Sequence, residues 1–583
     1  MSVEYQTIRT EVLVIGSEGA GARAAIEASD CGCQVTVATK GRIGRGGATV
    51  TAAADMNVDG RSIREIFGWG GSPDDSPESY LRDMVVEGRY LNDQPLAELQ
   101  VREAPSRLRE LLAWGLKVYD IRQTPGHSFP RSVYTSGRDM ARVLAAQLRL
   151  RPIRLLEEVM VTDLLTRDGR VVGAVGLDIA RGEPLVIAAG AVVLATGGAH
   201  SIYPFTTGPE GLTGDGQAMA LRAGAELVNM EMVQFIPTAM VAPPMMRGSL
   251  FIFLLGPQNG LRGWLLNKYG ERFMARWDPE RMEHSTRDLL SVGIANEIVE
   301  GRGGPSGGVY YSVAHLPANL VRDFARWGAK PFIRADWTSH GLDYRAVVES
   351  MRAGEAVEVA PAAHFFMGGV RIDERCETTI PHLLAAGEVA GGVHGANRLS
   401  GNAFTQMQVQ GKVAGQRASE LARPREQVDP DPRQVEGSVA RMMEPLRRTV
   451  GTTGYELMEG LRETARKHAG VVRNGSSLEE GLAKLGEIRF EIAERLACRA
   501  RERQYNPGWI EALQVRNGSL VLEAILQSAL ARRESRGAHF RQDYRETDGG
   551  WLRSTIVHSR DGGTSLELRT EPVRVTSFPL VRT

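Results

Sequence analysis

The chain has 583 residues, and because one hydrophobic core rarely organises that many, its length predicts two to four domains. Lys and Arg (70 residues) balance Asp and Glu (70 residues), so no overall charge draws the chain to nucleic acid or to an anionic membrane. The four cysteines are too few and too scattered for a disulfide framework, an iron–sulfur cluster or another metal site, which indicates a reducing, cytoplasmic compartment.

The sequence also predicts neither a signal peptide nor a membrane span. Only a short polar stretch precedes the first apolar strand, which leaves no room for a charged-then-apolar leader. The richest apolar run, residues 250–255, is far shorter than the roughly 20 residues that a spanning helix needs. We therefore expect a soluble protein that only a partner would hold at a membrane.

The first forty residues predict a βαβ unit. Strand Val12–Ile15 leads through a glycine-rich turn into an Ala-rich helix, Ala20–Ala28, and then into strand Gln34–Ala38. The turn, residues 16–21, lies where helix N–H groups and the positive end of the helix dipole bind a dinucleotide pyrophosphate. The unit therefore favours a nucleotide site, although a short glycine motif alone is equally typical of other α/β turns.

This turn departs from the usual G-x-G-x-x-G pattern. Glu18 holds the second glycine position, so we expect Gly19 and Gly21 to allow the close approach, with Glu18 turned away or bonding a ribose hydroxyl. The second strand ends in Thr39 and Lys40, so the usual ribose-binding acid is missing there.

The later elements alternate in character along the chain. Helical spacing marks residues 97–118, and a β-rich stretch follows over residues 155–194 with a hairpin signal at Asp168 and Gly169. Residues 423–433 have the Pro-rich, charged composition of a linker. A capping box at Ser477 to Glu480 then opens one helix, and a second covers Leu520–Leu530.

Three further segments bring glycine or a carboxylate to the end of a strand or turn. Residues 191–198 form a buried strand that ends in a Thr-Gly-Gly turn, residues 212–216 place Asp215 between two glycines, and residues 383–388 end in Gly-Glu. Glycine lets the backbone approach a ligand without a clash, and the Asp215 carboxylate is suited to sugar hydroxyls.

Taken in order, these segments resemble the flavoprotein subunits of the succinate dehydrogenase/fumarate reductase family, a group related to L-aspartate oxidase and adenylylsulfate reductase. Other matching segments are Lys40 with residues 44–49, and residues 230–235, 267–274, 364–369, 394–402 and 534–541. The resemblance runs from residue 12 to about residue 551 and implies an α/β fold: a two-dinucleotide-type, Rossmann-like FAD-binding domain, an inserted α+β capping domain and a C-terminal helical domain. The implied boundaries are 1–235 and 356–422 for the FAD-binding domain, 236–355 for the capping domain, 434–545 for the helical domain and 546–583 for a tail.

The resemblance implies FAD as the cofactor. The residues expected to hold it are Gly16, Gly19, Ala20, Gly21, Thr39, Lys40, Gly46, Gly47, Ala48, Thr49, Ala195, Thr196, Gly197, Gly198, Asp215, Glu388, Arg398, Ser400, Asn402 and Ala403. Family members often attach FAD through a histidine after the Lys-led loop. Residues 47–49 of this chain are Gly-Ala-Thr, so we expect non-covalent FAD.

The same resemblance implies a substrate site with a hydride passing between flavin N5 and a C–C bond beside a carboxylate. His364 and Arg398 fall on two substrate-binding positions, and Arg398 is suited to a bidentate carboxylate contact. The alternatives are a core histidine at 364 and an ordinary ion pair at 398. Two positions depart from the family pattern: Ile236 stands where a histidine is usual, and Asn259 where we expect the proton-transferring arginine.

Arg262 would replace that arginine if its loop is shorter, and a structural role is the alternative. Because Ile236 has no hydrogen-bond donor, we expect a substrate other than the standard dicarboxylate. His127 and Arg131 are weaker candidates for residues near the flavin or the substrate.

We therefore predict an FAD-dependent oxidoreductase acting on CH–CH groups of a small carboxylate or acyl compound, whose partner is an iron–sulfur electron-transfer subunit. A self-sufficient oxidase like L-aspartate oxidase remains an alternative. So do flavin–sulfite chemistry of the adenylylsulfate reductase kind and a non-catalytic flavin electron-transfer subunit.

Overall fold

A computed structural model describes residues 4–52, 55–250, 263–322, 338–339, 342–343, 345–423 and 428–579. Its helices are Gly19–Asp30, Gly47–Thr51, Gly60–Phe67, Pro77–Glu87, Gln94–Ala113, Gly137–Arg149, Asp215–Arg222, Arg287–Val299, Ala318–Arg322, Arg345–Arg352, Asn402–Ala422, Pro432–Arg447, Gly454–His468, Gly475–Arg495 and Pro507–Ala531. Within these ranges no helix is both long and apolar enough to cross a membrane.

A mainly parallel sheet forms the centre of the molecule. Its strand order is Ile153–Leu156, Val35–Ala38, Gln6–Ile15, Glu183–Leu194, Arg170–Asp178 and Val159–Arg167, with Leu383–Ala385 also paired to Glu183–Leu194. Residues 12–15 are apolar and buried, as expected for a strand covered on both faces. Ile15 and Ala385 both pair with Leu194 in parallel register, so the turns that follow these strands meet at one edge of the sheet.

The predicted hairpin is confirmed. Strands Val159–Arg167 and Arg170–Asp178 pair antiparallel, and Asp168 and Gly169 between them have φ of 51° and 74°. Both values lie in the left-handed region that a two-residue hairpin turn with the right twist requires, and Asp-Gly tolerates this region well.

Two helices pack closely over the turn after the first strand. Gly19–Asp30 lies against Asn402–Ala422, where a Cβ on Gly411 or Gly415 would come within 2.6 Å of the Ala20 carbonyl oxygen or 2.3 Å of the Ala24 carbonyl oxygen. Glycine at these two positions therefore lets the helix backbones approach each other. This packing fixes the N-termini of both helices beside the same edge of the sheet.

An antiparallel sheet is inserted between the two parts of the central domain. Its strand order is Val233–Met240, Val357–Phe366, Val309–Ser312 and Trp264–Leu266, and helix Arg287–Val299 packs against it. The paired strands Val233–Met240 and Val357–Phe366 carry Gln234, Ile236 and His364. A separate three-stranded sheet consists of Asp55–Asn57, Ser132–Tyr134 and Asp120–Arg122.

The C-terminal part is helical, as predicted, and ends in a β-hairpin. Strands Arg553–His558 and Glu567–Pro572 extend a small sheet that contains Leu227–Val228 and Gly369–Val370 of the central domain. The remaining short strand pairs are Thr338–Ser339 with Leu342–Asp343, Thr452–Thr453 with Leu496–Ala497, and Val472–Arg473 with Phe540–Arg541.

The capping box predicted at Ser477 to Glu480 is wrong. Helix Gly475–Arg495 is capped by Asn474, which accepts the N–H of Ser477 at 2.9 Å, and the predicted capping-box residue Glu480 is exposed. The helix predicted over Leu520–Leu530 is confirmed and is longer, since it begins at Pro507 and is capped by Asn506. Asn is among the strongest N-cap residues, and in both cases the asparagine lies upstream of the pattern used for the prediction.

Candidate active site

A cavity of about 440 Å³ opens at the carboxyl edge of the central sheet. The predicted FAD residues that line it are Gly16, Gly19, Ala20, Thr39, Lys40, Gly46, Gly47, Ala48, Thr49, Ala195, Thr196, Gly197, Asp215, Glu388, Arg398, Ser400 and Ala403. They come from separate stretches of chain, which the parallel strands and the Asn402–Ala422 helix bring together.

Three predicted FAD residues lie behind this lining. A Cβ on Gly21 would be 2.0 Å from the Gly16 carbonyl oxygen, and one on Gly198 would be 2.5 Å from Glu388 Oε1. The Oδ1 atom of Asn402 accepts hydrogen bonds from the Tyr80 hydroxyl at 2.6 Å and from Asn57 Nδ2 at 2.7 Å. These residues therefore shape the walls rather than face the cavity.

The turn after the first strand allows a ligand to approach its backbone closely. Gly16 has a φ of 108°, and a Cβ there would be 2.2 Å from the Ala195 carbonyl oxygen, so a side chain is excluded on both grounds. The N–H of Gly19, at the start of the following helix, donates to Thr49 Oγ1 at 3.2 Å. The positive end of this helix faces the cavity and suits a diphosphate.

Lys40 and Asp215 form an ion pair in the cavity wall. Lys40 Nζ donates to Asp215 Oδ2 at 2.7 Å, while Asp215 Oδ1 accepts from Thr213 Oγ1 and Asn517 Nδ2. Burial alone raises the pKa of Asp215, but Lys40 and these hydrogen bonds bring it below its ordinary value. The protein partners of this carboxylate are thus Lys40, Thr213 and Asn517, and a contact with sugar hydroxyls stays a prediction.

Glu388 is held by a histidine that sequence reasoning left unassigned. His200 Nε2 lies 2.6 Å from Glu388 Oε1, and the Phe366 N–H donates to the same oxygen at 2.8 Å. His200 also lines the cavity. Its Nδ1 is buried and has no hydrogen-bond partner within the described ranges.

Two arginines, Arg398 buried and Arg287 partly buried, make one end of the cavity cationic. The Arg398 guanidinium lies 4.5 Å above the Phe365 ring, and among the described residues its Nε has no hydrogen-bond partner. Burial, reinforced by the charge of Arg287, lowers the pKa of Arg398 to about 9. A buried cation with an unsatisfied donor is a strong place for an anionic ligand.

Arg287, the second cation, was missed in the sequence. It opens helix Arg287–Val299, lines the cavity, and reaches Gln234 Oε1 at 3.4 Å. Burial lowers its pKa, while Asp55 and Tyr134 oppose that effect. A basic side chain in the first turn opposes the helix dipole, and this unfavourable placement is the sequence signal that could have drawn attention to it.

The other predicted substrate residues have different outcomes. His364 lines the cavity, with its Nδ1 2.7 Å from Thr207 Oγ1. Arg262 and Asn259 lie outside the described residues. His127 and Arg131 are buried behind the cavity lining. His127 Nε2 lies 3.3 Å from the carbonyl oxygen of Ser400, which lines the cavity, and Arg131 forms ion pairs with Asp75 and Asp83, so a place behind the flavin or substrate groups stays a prediction for both.

An apolar wall faces the same part of the cavity. Ile236 is 1% exposed and clusters with Ala239, Ala362, Phe205 and Leu250. Ile236 and Leu250 both line the cavity. The site therefore combines an anion-binding end with an apolar surface.

Comparison with known proteins agrees with this geometry. A family model described as FAD binding domain matches residues 11–404, and one described as fumarate reductase flavoprotein C-term matches residues 458–583. The chain is 39% identical to an uncharacterized FAD-dependent oxidoreductase of Methanocaldococcus jannaschii, over 95% of this chain and 97% of that protein. It is 36% identical to one of the subunits of the CoM/CoB fumarate reductase of Methanothermobacter marburgensis, over 96% and 98% of the two chains.

A solved structure shows the same similarity. A mutant of the FrdA chain of Escherichia coli quinol fumarate reductase superimposes with a TM-score of 0.87 at 27% identity, covering 99% of each chain. The predicted α/β class, FAD cofactor and enzyme class are thereby confirmed. The chain belongs to the succinate dehydrogenase/fumarate reductase flavoprotein family, whose members are FAD-containing oxidoreductases that act on CH–CH groups.

Proposed function

We propose that this enzyme reduces or forms a C–C double bond beside the single carboxylate of a substrate whose other end is apolar. The observation that carries the proposal is the division of the cavity between the Arg287 and Arg398 cations and the apolar wall at Ile236. Ile236 itself offers no hydrogen-bond donor to a second carboxylate, and an unpaired buried charge is costly.

The side chains at the cationic end supply binding and proton transfer. Bound FAD supplies the hydride donor or acceptor. Arg398 and His364 bind the carboxylate, and the stacking of Arg398 on Phe365 fixes the plane of its guanidinium. Arg287 carries the proton to or from the neighbouring carbon, because burial lowers its pKa and makes it a stronger acid than a solvated arginine.

Gln234 positions both arginines. Its Nε2 donates to the Arg398 carbonyl oxygen at 2.8 Å, and its Oε1 accepts from Arg287. The Gln234 amide therefore holds both the backbone of Arg398 and the side chain of Arg287. Such support keeps both groups in a productive orientation before substrate binds.

We also propose that FAD is bound non-covalently, since residues 47–49 offer no histidine for attachment. An iron–sulfur subunit would exchange electrons with the flavin, which is consistent with the naming of the M. marburgensis relative as one subunit of its enzyme. A cytoplasmic location is favoured by the four cysteines, all of which are free thiols.

The proposal is tested by the choice between mono- and dicarboxylates. The holoprotein is reduced anaerobically, mixed with crotonate or fumarate, and followed by the return of oxidised-flavin absorbance. We expect crotonate to reoxidise the flavin at least about tenfold more efficiently than fumarate, because a pocket that leaves a polar group unpaired discriminates by that order or more. Ile236→His should shift the preference toward fumarate.

Ile236→Val is the matched control, because it keeps the wall apolar and should keep the wild-type preference. Faster, saturable reoxidation by fumarate in the wild type, with no change in Ile236→His, would show that the dicarboxylate is the substrate.

A further inference from the structure

Glu18 is a carboxyl group at the point where a dinucleotide diphosphate meets the protein. It is the N-cap residue of helix Gly19–Asp30, yet its side chain makes no capping bond to that helix. It lines the cavity beside Gly16 and Gly19. Neither the fold nor the proposed reaction requires an acidic side chain here.

The neighbouring loop is shaped around this side chain. A Cβ on Gly47 would lie 2.5 Å from Glu18 Cγ and 2.7 Å from Glu18 Cδ, so the carboxyl group occupies the space that a side chain at position 47 would need. Glu18 Oε2 is buried and has no hydrogen-bond partner among the described residues. The structure thus holds one oxygen of this carboxyl group ready for a ligand.

In the part of the chain that the structure describes, no neighbouring charge balances a carboxylate at this position. Of the charged groups that line the cavity, Lys40 is paired with Asp215, Arg42 with Glu158 and Glu388 with His200. The loop before Gly47 carries Arg45, which is exposed. The remaining charged or titratable groups in the lining, Asp55, Arg287, His364 and Arg398, belong to the cationic end.

We propose that Glu18 is a proton-linked FAD-binding residue: it holds FAD as the neutral carboxylic acid, donating a hydrogen bond to the diphosphate, so that FAD binding is coupled to the uptake of one proton from solvent. An ionised Glu18 would repel the diphosphate in a cavity where the helix N-terminus otherwise favours anions. A protonated carboxyl group gains an O–H donor and removes the repulsion.

The environment of Glu18 in the free protein raises its pKa above that of a solvated glutamate. Burial raises the pKa of Glu18 to about 7, against the opposing effect of hydrogen bonds from Thr49 and Val50. Because the protonated form binds FAD, affinity is highest below this pKa and falls as the pH rises through it. A pKa of about 7 in the free protein predicts that the FAD dissociation constant increases about tenfold from about pH 6 to about pH 8.

The test is dilution of the FAD-loaded protein across this pH range, with released FAD measured by its fluorescence. The wild type should show the tenfold increase in dissociation constant. Glu18→Gln, a neutral donor of the same shape, and Glu18→Gly should both bind FAD with a flat pH profile. Glu480→Gln is the matched control, because it removes an exposed glutamate outside the cavity lining and should keep the wild-type profile.

A wild-type profile that is flat, or a Glu18→Gln variant that retains the tenfold increase, would overturn the proposal. If the variants do not fold, calorimetric titration of the wild-type apoprotein with FAD in two buffers of different ionisation enthalpy decides the question. Near pH 8 the proposal requires uptake of close to one proton per FAD, and no uptake would refute it.

Discussion

At the scale of single residues, the main feature of the site is that burial lowers the pKa of its arginines. Arg398 is 5% exposed, and desolvation together with the nearby Arg287 charge makes its cationic form less favourable than in water. In the proposed reaction a substrate carboxylate would reverse this effect, because it would pair with the cation inside the cavity. The proposal therefore assigns to these two arginines both the selection of an anion and the transfer of a proton.

Arg398 gives a specific pH dependence. Its pKa of about 9 means that Arg398 is fully protonated well below pH 9 and loses its charge as the pH rises through that value. The protonated form is the one that we propose binds the carboxylate. We expect kcat/KM to fall about tenfold per pH unit above about pH 9, since this quantity reports the free enzyme. Steady-state rates between about pH 7 and about pH 10 measure it.

Arg151→Lys serves as the control, because Arg151 pairs with Asp30 far from the cavity lining and should leave the alkaline limb unchanged. Arg398→Lys should move the limb to lower pH and weaken binding, because lysine has a lower intrinsic pKa and lacks the bidentate fork. A flat wild-type profile up to about pH 10 would contradict the assignment of Arg398.

At the scale of elements, helix starts depend on a few capping atoms. Helix Gly475–Arg495 packs its buried residues Leu478, Leu485, Ile488 and Ile492 into the main core. Its first turn is fixed by Asn474 Oδ1, which also accepts from Ser476 Oγ at 2.9 Å. The sequence thus located the helix, whereas only the structure identified Asn474 as its N-cap residue.

Asn474→Ala should destabilise this first turn by about 1 kcal/mol, because it removes the acceptor of the Ser477 N–H. That loss corresponds to roughly fivefold faster native-state hydrogen exchange of the first-turn amides. Glu480→Gln, in the exposed position of the mistaken capping box, should leave exchange unchanged. Faster exchange of these amides in Glu480→Gln than in Asn474→Ala would instead support the capping box predicted from the sequence.

At the scale of the whole molecule, one buried carboxylate joins the C-terminal part to the strand that carries the site. Glu231 Oε1 accepts from Arg532 Nε at 2.7 Å, and Glu231 Oε2 accepts from the Thr555 hydroxyl at 2.6 Å. Arg473 donates to the Glu231 carbonyl oxygen at 2.8 Å. Glu231 lies three residues before Gln234, so these contacts also hold the support of the two cavity arginines.

Glu231→Ala should lower the free energy of unfolding by about 3–5 kcal/mol, because it leaves Arg532 buried with one fewer partner. Calorimetry of the FAD-loaded protein should show a clearly lower transition temperature. Glu226→Ala is the matched control: its carboxylate pairs with Arg371 and Arg569 but is partly exposed, so the loss should be about 1 kcal/mol or less. Equal losses of unfolding free energy in the two variants would show that Glu231 stabilises the fold no more than a partly exposed carboxylate does.

The local sequence determined much of the fold and of the FAD side of the cavity. A strand, a glycine-rich turn and a helix follow from short-range patterns, and parallel strands necessarily bring their carboxyl ends to one edge. His364, Arg398 and Ile236 lie in the cavity lining, where their roles toward a substrate stay predictions. These residues stand within matching segments, so their neighbours in the chain identified them.

The tertiary structure alone decided which distant charges meet. His200 pairs with Glu388 across 188 positions, Lys40 with Asp215 across 175, and Arg287 comes beside Arg398 from a different part of the fold. No short pattern encodes such pairs, because each depends on the register of strands and the packing of helices far apart in sequence. Burial, which sets the pKa of Glu18 and Arg398, is likewise a property of the packed molecule and not of any segment read alone.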